Sequence, residues 1–368
     1  MNAGTEAALD RIRGDVPARN HNARTISALT SNPGCNRRGV MDAAGIDKER
    51  LAAYVGFPVQ FGQSQFAITR GNVFEAQVKA NGCAELLTLL RDKLELELPE
   101  VSYDDLEAVG GNLSREVRHA RTRNLLARAA SGSEDAGTLF DHPLLRLEVG
   151  GRHVYLEPDL IAFQWKGQFH VVEIKSFPVI DGQADGGKVA AAAIQSAVYV
   201  LCLRAMLAEQ GFPDSAVAHD VVLVCPKDFS NQLTATFVDV RKQLTVLRRQ
   251  LSRLTRIDEL VSLLPPTVSL SISRPAAEVA EDLGLIEARY MPECLNNCEL
   301  ARFCRDESRG CTRVMGRTVS EDLGGVETVE TALGLARGSL APSPEQVEAA
   351  SLLRLAWSLR AECLGSAA

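Results

Sequence analysis

The sequence holds no uninterrupted run of eighteen apolar residues, and its start lacks the charged-then-apolar pattern of a secretory leader. Neither a membrane span nor a signal peptide is therefore expected, and the chain reads as cytoplasmic. Net positive charge is lacking too: 40 Lys and Arg face 47 Asp and Glu, a balance of −7. No global field draws such a chain to a polyanion, so any nucleic-acid contact has to come from local basic surfaces. The nine cysteines are odd in number, and four crowd between Cys294 and Cys311 with no histidine among them. That distribution speaks against a disulfide framework and for metal or cluster binding in a reducing compartment. Gly186-Gly187-Lys188 lacks both the spacing and the following Ser or Thr of a phosphate loop, so an ATPase is not indicated. What remains is an ordinary globular composition, 46% hydrophobic and 24% charged over 368 residues. The length allows one large or two moderate domains.

The chain is organised around Glu157 to Tyr199. Val154–Phe163 and Phe169–Ile174 read as apolar-rich strands joined by the turn Trp165-Lys166-Gly167-Gln168. Residues i and i+2 share a strand face, so Glu173 and Lys175 point the same way while Ile174 turns to the opposite face. Such a hairpin brings Asp159, Glu173 and Lys175 to one side of a sheet. Two carboxylates and an ammonium beside buried strands are costly to desolvate unless something pairs with them. A divalent cation held by Asp159 and Glu173, with Lys175 beside its water, accounts for all three. A surface hairpin with an ordinary Glu–Lys pair is the plainer alternative.

Pro158-Asp159, Glu173-x-Lys175 and Gln195-x-x-x-Tyr199 together resemble the PD-(D/E)XK nucleases, specifically the RecB-like branch. The resemblance implies an α/β, restriction-endonuclease-like fold: a central mixed sheet flanked by helices, after a helical N-terminal region and before a cysteine-cluster C-terminal region. It also implies Mg²⁺ or Mn²⁺ and cleavage of nucleic-acid phosphodiesters. By it, Asp159 and Glu173 are metal ligands, Lys175 positions or activates the attacking water, and Gln195 and Tyr199 position substrate. Gln195 and Tyr199 stand one helical turn apart on one face. Gly71-x-x-x-Glu75 matches the spacing of the branch's Gly-x-x-x-His motif, with Glu in the histidine position. Glu75 thereby becomes a third candidate ligand, anionic and suited to a hard cation.

The cysteines run Cys294-x3-Cys298-x5-Cys304-x6-Cys311. Soft thiolates at this density suit an iron–sulfur cluster or Zn²⁺. A RecB-like subgroup, seen in AddB-type helicase-nucleases and CRISPR adaptation nucleases, is similar in having one cysteine ahead of the core and three after it. That resemblance implies a [4Fe–4S] cluster on Cys35, Cys294, Cys298 and Cys304, with Cys311 as a substitute and Zn²⁺ as the alternative metal. The usual trailing spacing is one residue shorter between the first two of those three.

Residues 1–24 are polar and expected to be a flexible N-terminus; 25–311 form the nuclease domain, 312–342 a linker and 343–368 a C-terminal helix. Ser131–Gly137 reads as a loop. Leu113–Arg128 and the helix after Val240 are basic. In the second, Arg241, Lys242, Arg248, Arg249, Arg253 and Arg256 occur without an acid between them. Lys242, Arg249, Arg253 and Arg256, with Lys188 in its glycine-rich loop, are the candidate nucleic-acid contacts. The RecB-like resemblance implies a metal-dependent DNA nuclease, exonucleolytic or end-trimming and acting on single-stranded DNA, in repair, recombination or defence against foreign DNA. Its partners are DNA and a helicase or other subunit, with no membrane. The rivals are a non-cleaving nucleic-acid-binding module and a Zn-stabilised restriction-type endonuclease.

Overall fold

Alternation along two strands sets the centre of the fold. In the computed structural model, which describes residues 3–19, 21–59, 65–94, 103–106, 114–132, 139–165, 168–228 and 230–365, eight strands form two sheets. They are β1 (Tyr103–Asp105), β2 (Leu139–Asp141), β3 (Leu145–Val149), β4 (Arg152–Leu156), β5 (Leu160–Trp165), β6 (Gln168–Ile174), β7 (Asp220–Pro226) and β8 (Leu233–Asp239). The six-stranded sheet has the order β1-β2-β5-β6-β7-β8, and β3 and β4 make a separate hairpin. The large sheet is mixed: β1 runs parallel to β2 and β6 to β7, and the other neighbours are antiparallel. A mixed sheet flanked by helices is the expected architecture in its coarse form.

Central β6 and β7 are buried on both faces, as their apolar runs require. Phe169 and Val171 pack into the core that includes Ala197, Val198 and Leu203 of helix Gly186–Ala208. Val172 and Ile174 point to the opposite core, with Phe74, Val78, Leu86 and Leu90 of helix Gln65–Leu94. By the period of two, Glu173 and Lys175 take the face of helix Gly186–Ala208. This helix is long and apolar enough to cross a membrane by length and composition alone. Its apolar residues are used on protein instead, with Val198, Val200, Cys202 and Leu203 fully buried.

Helix Gln65–Leu94 breaks where Asn81-Gly82 suggested. Ala80 is extended, and Asn81, Gly82 and Cys83 are left-handed, with φ of 53°, 64° and 63°. Gly82 adopts this region freely, whereas Asn81 and Cys83 are held there by their surroundings.

Several boundaries differ from the sequence reading. Val154–Phe163 is not one strand, because β4 ends at Leu156 and β5 begins at Leu160 in the other sheet. Pro158 has no N–H for a ladder, so pairing stops there. The N-terminal stretch contains helix Ala3–Arg13, whose Leu9 and Ile12 are buried on one face despite polar neighbours. Residues 312–342 include helix Val329–Arg337, and Leu323, Val326 and Leu335 form a small core with Ala350 of helix Val347–Gly365. Lys166–Gly167 of the expected turn and residues 133–137 of the expected loop lie outside the described residues.

The chain divides into two compact units, and the cut does not follow the expected 25–311 domain. The first comprises residues 1–34, 39–46 and 62–266 and holds both sheets. The second comprises 35–38, 47–61 and 267–368, so Cys35 belongs with the C-terminal cysteines. Within it Val279, Leu283, Ile286 and Leu300 are buried, and Phe57 meets Phe303 edge-on at 5.5 Å.

Candidate active site

Strand register places the carboxylates. Leu160 pairs with Val172, so Asp159 precedes β5 at the level of Glu173 on β6. Asp141, the last residue of β2, pairs with Leu160. Three acids thus sit at one end of three adjoining strands. The backbone N–H of Ile174 donates to the Asp159 carboxylate, tying the bend before β5 to β6.

Glu173 is fully buried and ion-paired with Lys175. Its Oε2 has no hydrogen-bond partner among the described residues. Burial pushes its carboxyl up to about 8; Lys175 opposes the shift and Asp159 adds to it. Burial likewise raises Asp159, against the pull of Lys175 and with repulsion from Glu75. Burial works against the charge on Lys175, but Glu173 and Asp159 outweigh it and hold the ammonium above its ordinary value. Its side chain keeps 26% exposure, with Nζ turned to the buried Glu173 carboxylate.

Gln195 and Tyr199 come from helix Gly186–Ala208 on the same side of the sheet. Gln195 Nε2 donates to the Tyr199 hydroxyl at 3.3 Å, which donates to the Glu157 carbonyl at 3.3 Å. That chain steadies the backbone two residues before Asp159. Burial, then Glu173 and Asp159, keep the Tyr199 phenol protonated well above its usual range.

The other side of the sheet contributes a second polar group. Glu75, on helix Gln65–Leu94, acts electrostatically on Asp159, Glu173 and Lys175. It is not a free ligand, however: Lys79 Nζ lies 2.6 Å from Glu75 Oε1 and 2.9 Å from Asp141 Oδ1. His142 adds its ring, with Nδ1 3.1 Å from Asp141 and Nε2 3.7 Å from Glu75. Hydrogen bonding to His142, followed by the pull of Lys79, lowers Glu75 to about 2 despite burial. Asp141 and Glu75 push the imidazole up to about 10. His142 has φ of 47°, a strained conformation for a non-glycine residue and one that occurs at functional sites.

Sequence reasoning missed Lys79, Asp141 and His142. His119 is buried, with Nδ1 2.9 Å from the Leu144 carbonyl.

Oxygen donors dominate the Asp159–Glu173 corner, and the undonated Glu173 Oε2 is the atom a hard cation satisfies. The residues present therefore fit Mg²⁺ or Mn²⁺. A different trio, His219, Asp220 and Asp239, brings ligand atoms within 4.8 Å of one another. It lies at the start of β7 and the end of β8, away from the Glu173 level. Asp239 there is occupied by Arg241, whose Nε lies 2.8 Å from Oδ2.

The basic candidates separate into two groups. Arg241, Arg248 and Arg256 are paired with Asp239, Asp214 and Asp258. Arg256 is therefore a poorer phosphate contact than its position in the sequence suggested. Lys242, Arg249 and Arg253 are exposed, with no carboxylate partner among the described residues. Lys242 and Arg249 share a stripe of helix Arg241–Leu251 whose opposite side buries Leu244 and Leu247. Lys188 is exposed, with its backbone N–H capped by Asp185. It stands two helical turns before Gln195 on the same face.

In the second unit, Cys298 and Cys304 feel each other and Cys35. Cys294 and Cys304 both act on the Tyr290 phenol. Burial pushes the Cys298 thiol to about 11 and the Cys304 thiol to about 12, opposed by Arg38 and Arg37 respectively. Cys311 is exposed, and its backbone bridges Thr328. Cys35, Cys298 and Cys304, from two chain segments with Arg37 and Arg38 beside them, act on one another electrostatically, and soft thiols of this kind are the donors a thiolate-bound metal or cluster needs.

No protein-family model and no curated protein sequence matches the chain. Solved structures share a loose likeness, among them these two. SSO0001 is 12% identical with a TM-score of 0.27, over 70% of this chain and 82% of that one. A structure described as a "putative exonuclease" from Eubacterium rectale is 12% identical with a TM-score of 0.32, over 70% of this chain and 84% of that one. At these scores neither likeness bears on the function of the chain.

Proposed function

We propose that the chain is a divalent-cation-dependent DNA nuclease of the RecB-like PD-(D/E)XK kind, hydrolysing phosphodiesters from ends of single-stranded DNA. One observation supports this most: Asp159, Glu173 and Lys175 meet at the ends of adjoining strands, with one oxygen of the fully buried Glu173 left without a donor. Asp159 and Glu173 would hold Mg²⁺ or Mn²⁺, with Glu75 completing the negative field. When bound, the cation supplies Lewis-acid polarisation of a phosphoryl oxygen.

The chain's own groups do the rest. Lys175 offers its ammonium to the attacking water or to a non-bridging oxygen, where charge develops. Tyr199 and Gln195 hold the Glu157 carbonyl and so fix the approach of Asp159. Lys79 and His142 keep Glu75 and Asp141 ionised and oriented. Lys188, Lys242, Arg249 and Arg253 supply phosphate contacts that offset the chain's net negative charge. Cys35, Cys294, Cys298 and Cys304 would ligate a [4Fe–4S] cluster, with Zn²⁺ as the alternative metal. A helicase or another repair or defence subunit is the proposed protein partner.

The test is digestion of end-labelled single-stranded and duplex DNA with Mg²⁺, Mn²⁺ or EDTA. Metal-dependent shortening of the single strand is expected. Retention of DNA without cleavage under every metal would replace this reading with the non-cleaving module.

A further inference from the structure

Asn36, Arg37 and Arg38 follow Cys35 directly, and all three reach across to the segment that carries the other cysteines. Arg37 is 2% exposed and uses nearly its whole guanidinium. Its Nε donates to the Ile286 carbonyl at 2.9 Å. Its two terminal nitrogens donate to the two Glu307 oxygens at 2.8 and 2.9 Å. Nη1 also lies 3.2 Å from Cys304 Sγ. The backbone N–H of Arg37 donates to the Glu287 carbonyl at 2.8 Å, and Asn36 Nδ2 to the Glu287 carboxylate at 2.9 Å. Arg38, 3% exposed, donates to the Asn297 carbonyl at 2.7 Å.

These contacts need no metal. From them we infer that Asn36-Arg37-Arg38 is a latch that assembles the thiol site before any metal arrives, with Arg37 as the positioning donor to Cys304. The inference rests on the reading of the four thiols as a metal site and says how this chain builds that site. A fork held by Ile286 and Glu307 already satisfies a buried Arg, so the contact to Cys304 is additional to what packing requires. A neutral thiol is a weak acceptor and a metal-bound thiolate a strong one, so the donor contributes most once Cys304 ligates. The adjacent Arg38 places a second positive charge near Cys298, which suits an anionic thiolate centre.

The test uses the full chain freed of metal. Hydrogen exchange should show the Arg37 amide protected without metal, because its acceptor is the Glu287 carbonyl. Free exchange of that amide until metal is added would overturn the latch. Titration with Co²⁺, followed by thiolate-to-metal absorption, should then show affinity falling about 10–100-fold in Arg37→Lys, the usual cost of losing an outer hydrogen bond to a ligand. Glu307→Gln breaks the same ion pair but keeps the donor to Cys304, so it should lose less. Equal losses in the two variants, or none in Arg37→Lys, would reduce Arg37 to a packing role and overturn the donor assignment. Failure of the wild-type chain to take up Co²⁺ would sink the thiol-site reading and Arg37's role toward a ligand, while exchange would still report separately on the latch.

Discussion

Glu173→Gln isolates the electrostatic cost of the candidate site. The buried carboxyl of Glu173 sits at about 8 against an ordinary 4.5. Between those values the native state holds a proton that the unfolded chain has lost, so stability falls as pH rises. Linkage puts the cost of this one group near 1 kcal/mol at pH 5 and near 4 kcal/mol at pH 8. Glutamine has the same shape and no charge, and Lys175 is common to both proteins. Without metal, the wild type should therefore lose about 3 kcal/mol relative to Glu173→Gln between pH 5 and pH 8. Urea unfolding in EDTA, followed by circular dichroism at several pH values, measures this difference. Mg²⁺ at pH 8 should restore stability to the wild type and not to the variant, because a cation at this corner takes the place of the proton. A pH-independent gap between the two proteins would refute the claim that Lys175 only partly compensates the buried Glu173, and with it the main support for a cation there.

Lys175→Ala should reduce cleavage by about 10²–10⁴-fold, the usual range for a positioned proton-transfer group, with circular dichroism unchanged; cleavage within tenfold of wild type would remove it from the chemistry. Lys79→Met removes the ammonium that pairs with both Glu75 and the buried Asp141, and should cost about 3 kcal/mol in urea unfolding. A change under about 1 kcal/mol would mean the Lys79–Asp141 pair is solvated. Replacing Lys242, Arg249 and Arg253 together by Gln should lower the salt slope of single-strand binding by up to about 2, at about 0.7 per phosphate contact; an unchanged slope would place the strand elsewhere. Cys298→Ala should lower bound iron or zinc and soluble yield, and unchanged metal content would remove Cys298 from the ligand set.

The shared faces at the Asp159–Glu173 corner were legible where strand and helix periods decide them. Glu173-x-Lys175 needed only the period of two, and Gln195 and Tyr199 only the helical turn, to be placed on a common face. Asp141 and His142 were missed because β2 is three residues long and its place beside β5 is a long-range pairing. No local pattern announces such a neighbour. Lys79 was likewise four residues from Glu75 on one helix, yet its second contact, Asp141, lies across the fold. The same distinction separates the basic residues. Lys242 and Arg248 look alike in sequence, and only the approach of Asp214 neutralises Arg248. The small core of Leu323, Val326 and Leu335 was not legible, because apolar residues so scattered show no period.

Helix Gly186–Ala208 carries a consequence for how the protein is made. It leaves the ribosome ahead of helix Arg241–Leu251, whose Leu244 and Leu247 join the core that covers it. Until those later residues emerge, the nascent chain presents a segment with the length and apolarity of a bilayer anchor. Correct biogenesis then requires either a chaperone at that moment or rapid docking on the β3–β4 hairpin and β6, which are already synthesised. A chain stalled after Gly211 should partition into vesicles where the full-length protein does not; no partitioning would mean the earlier strands already suffice to bury it.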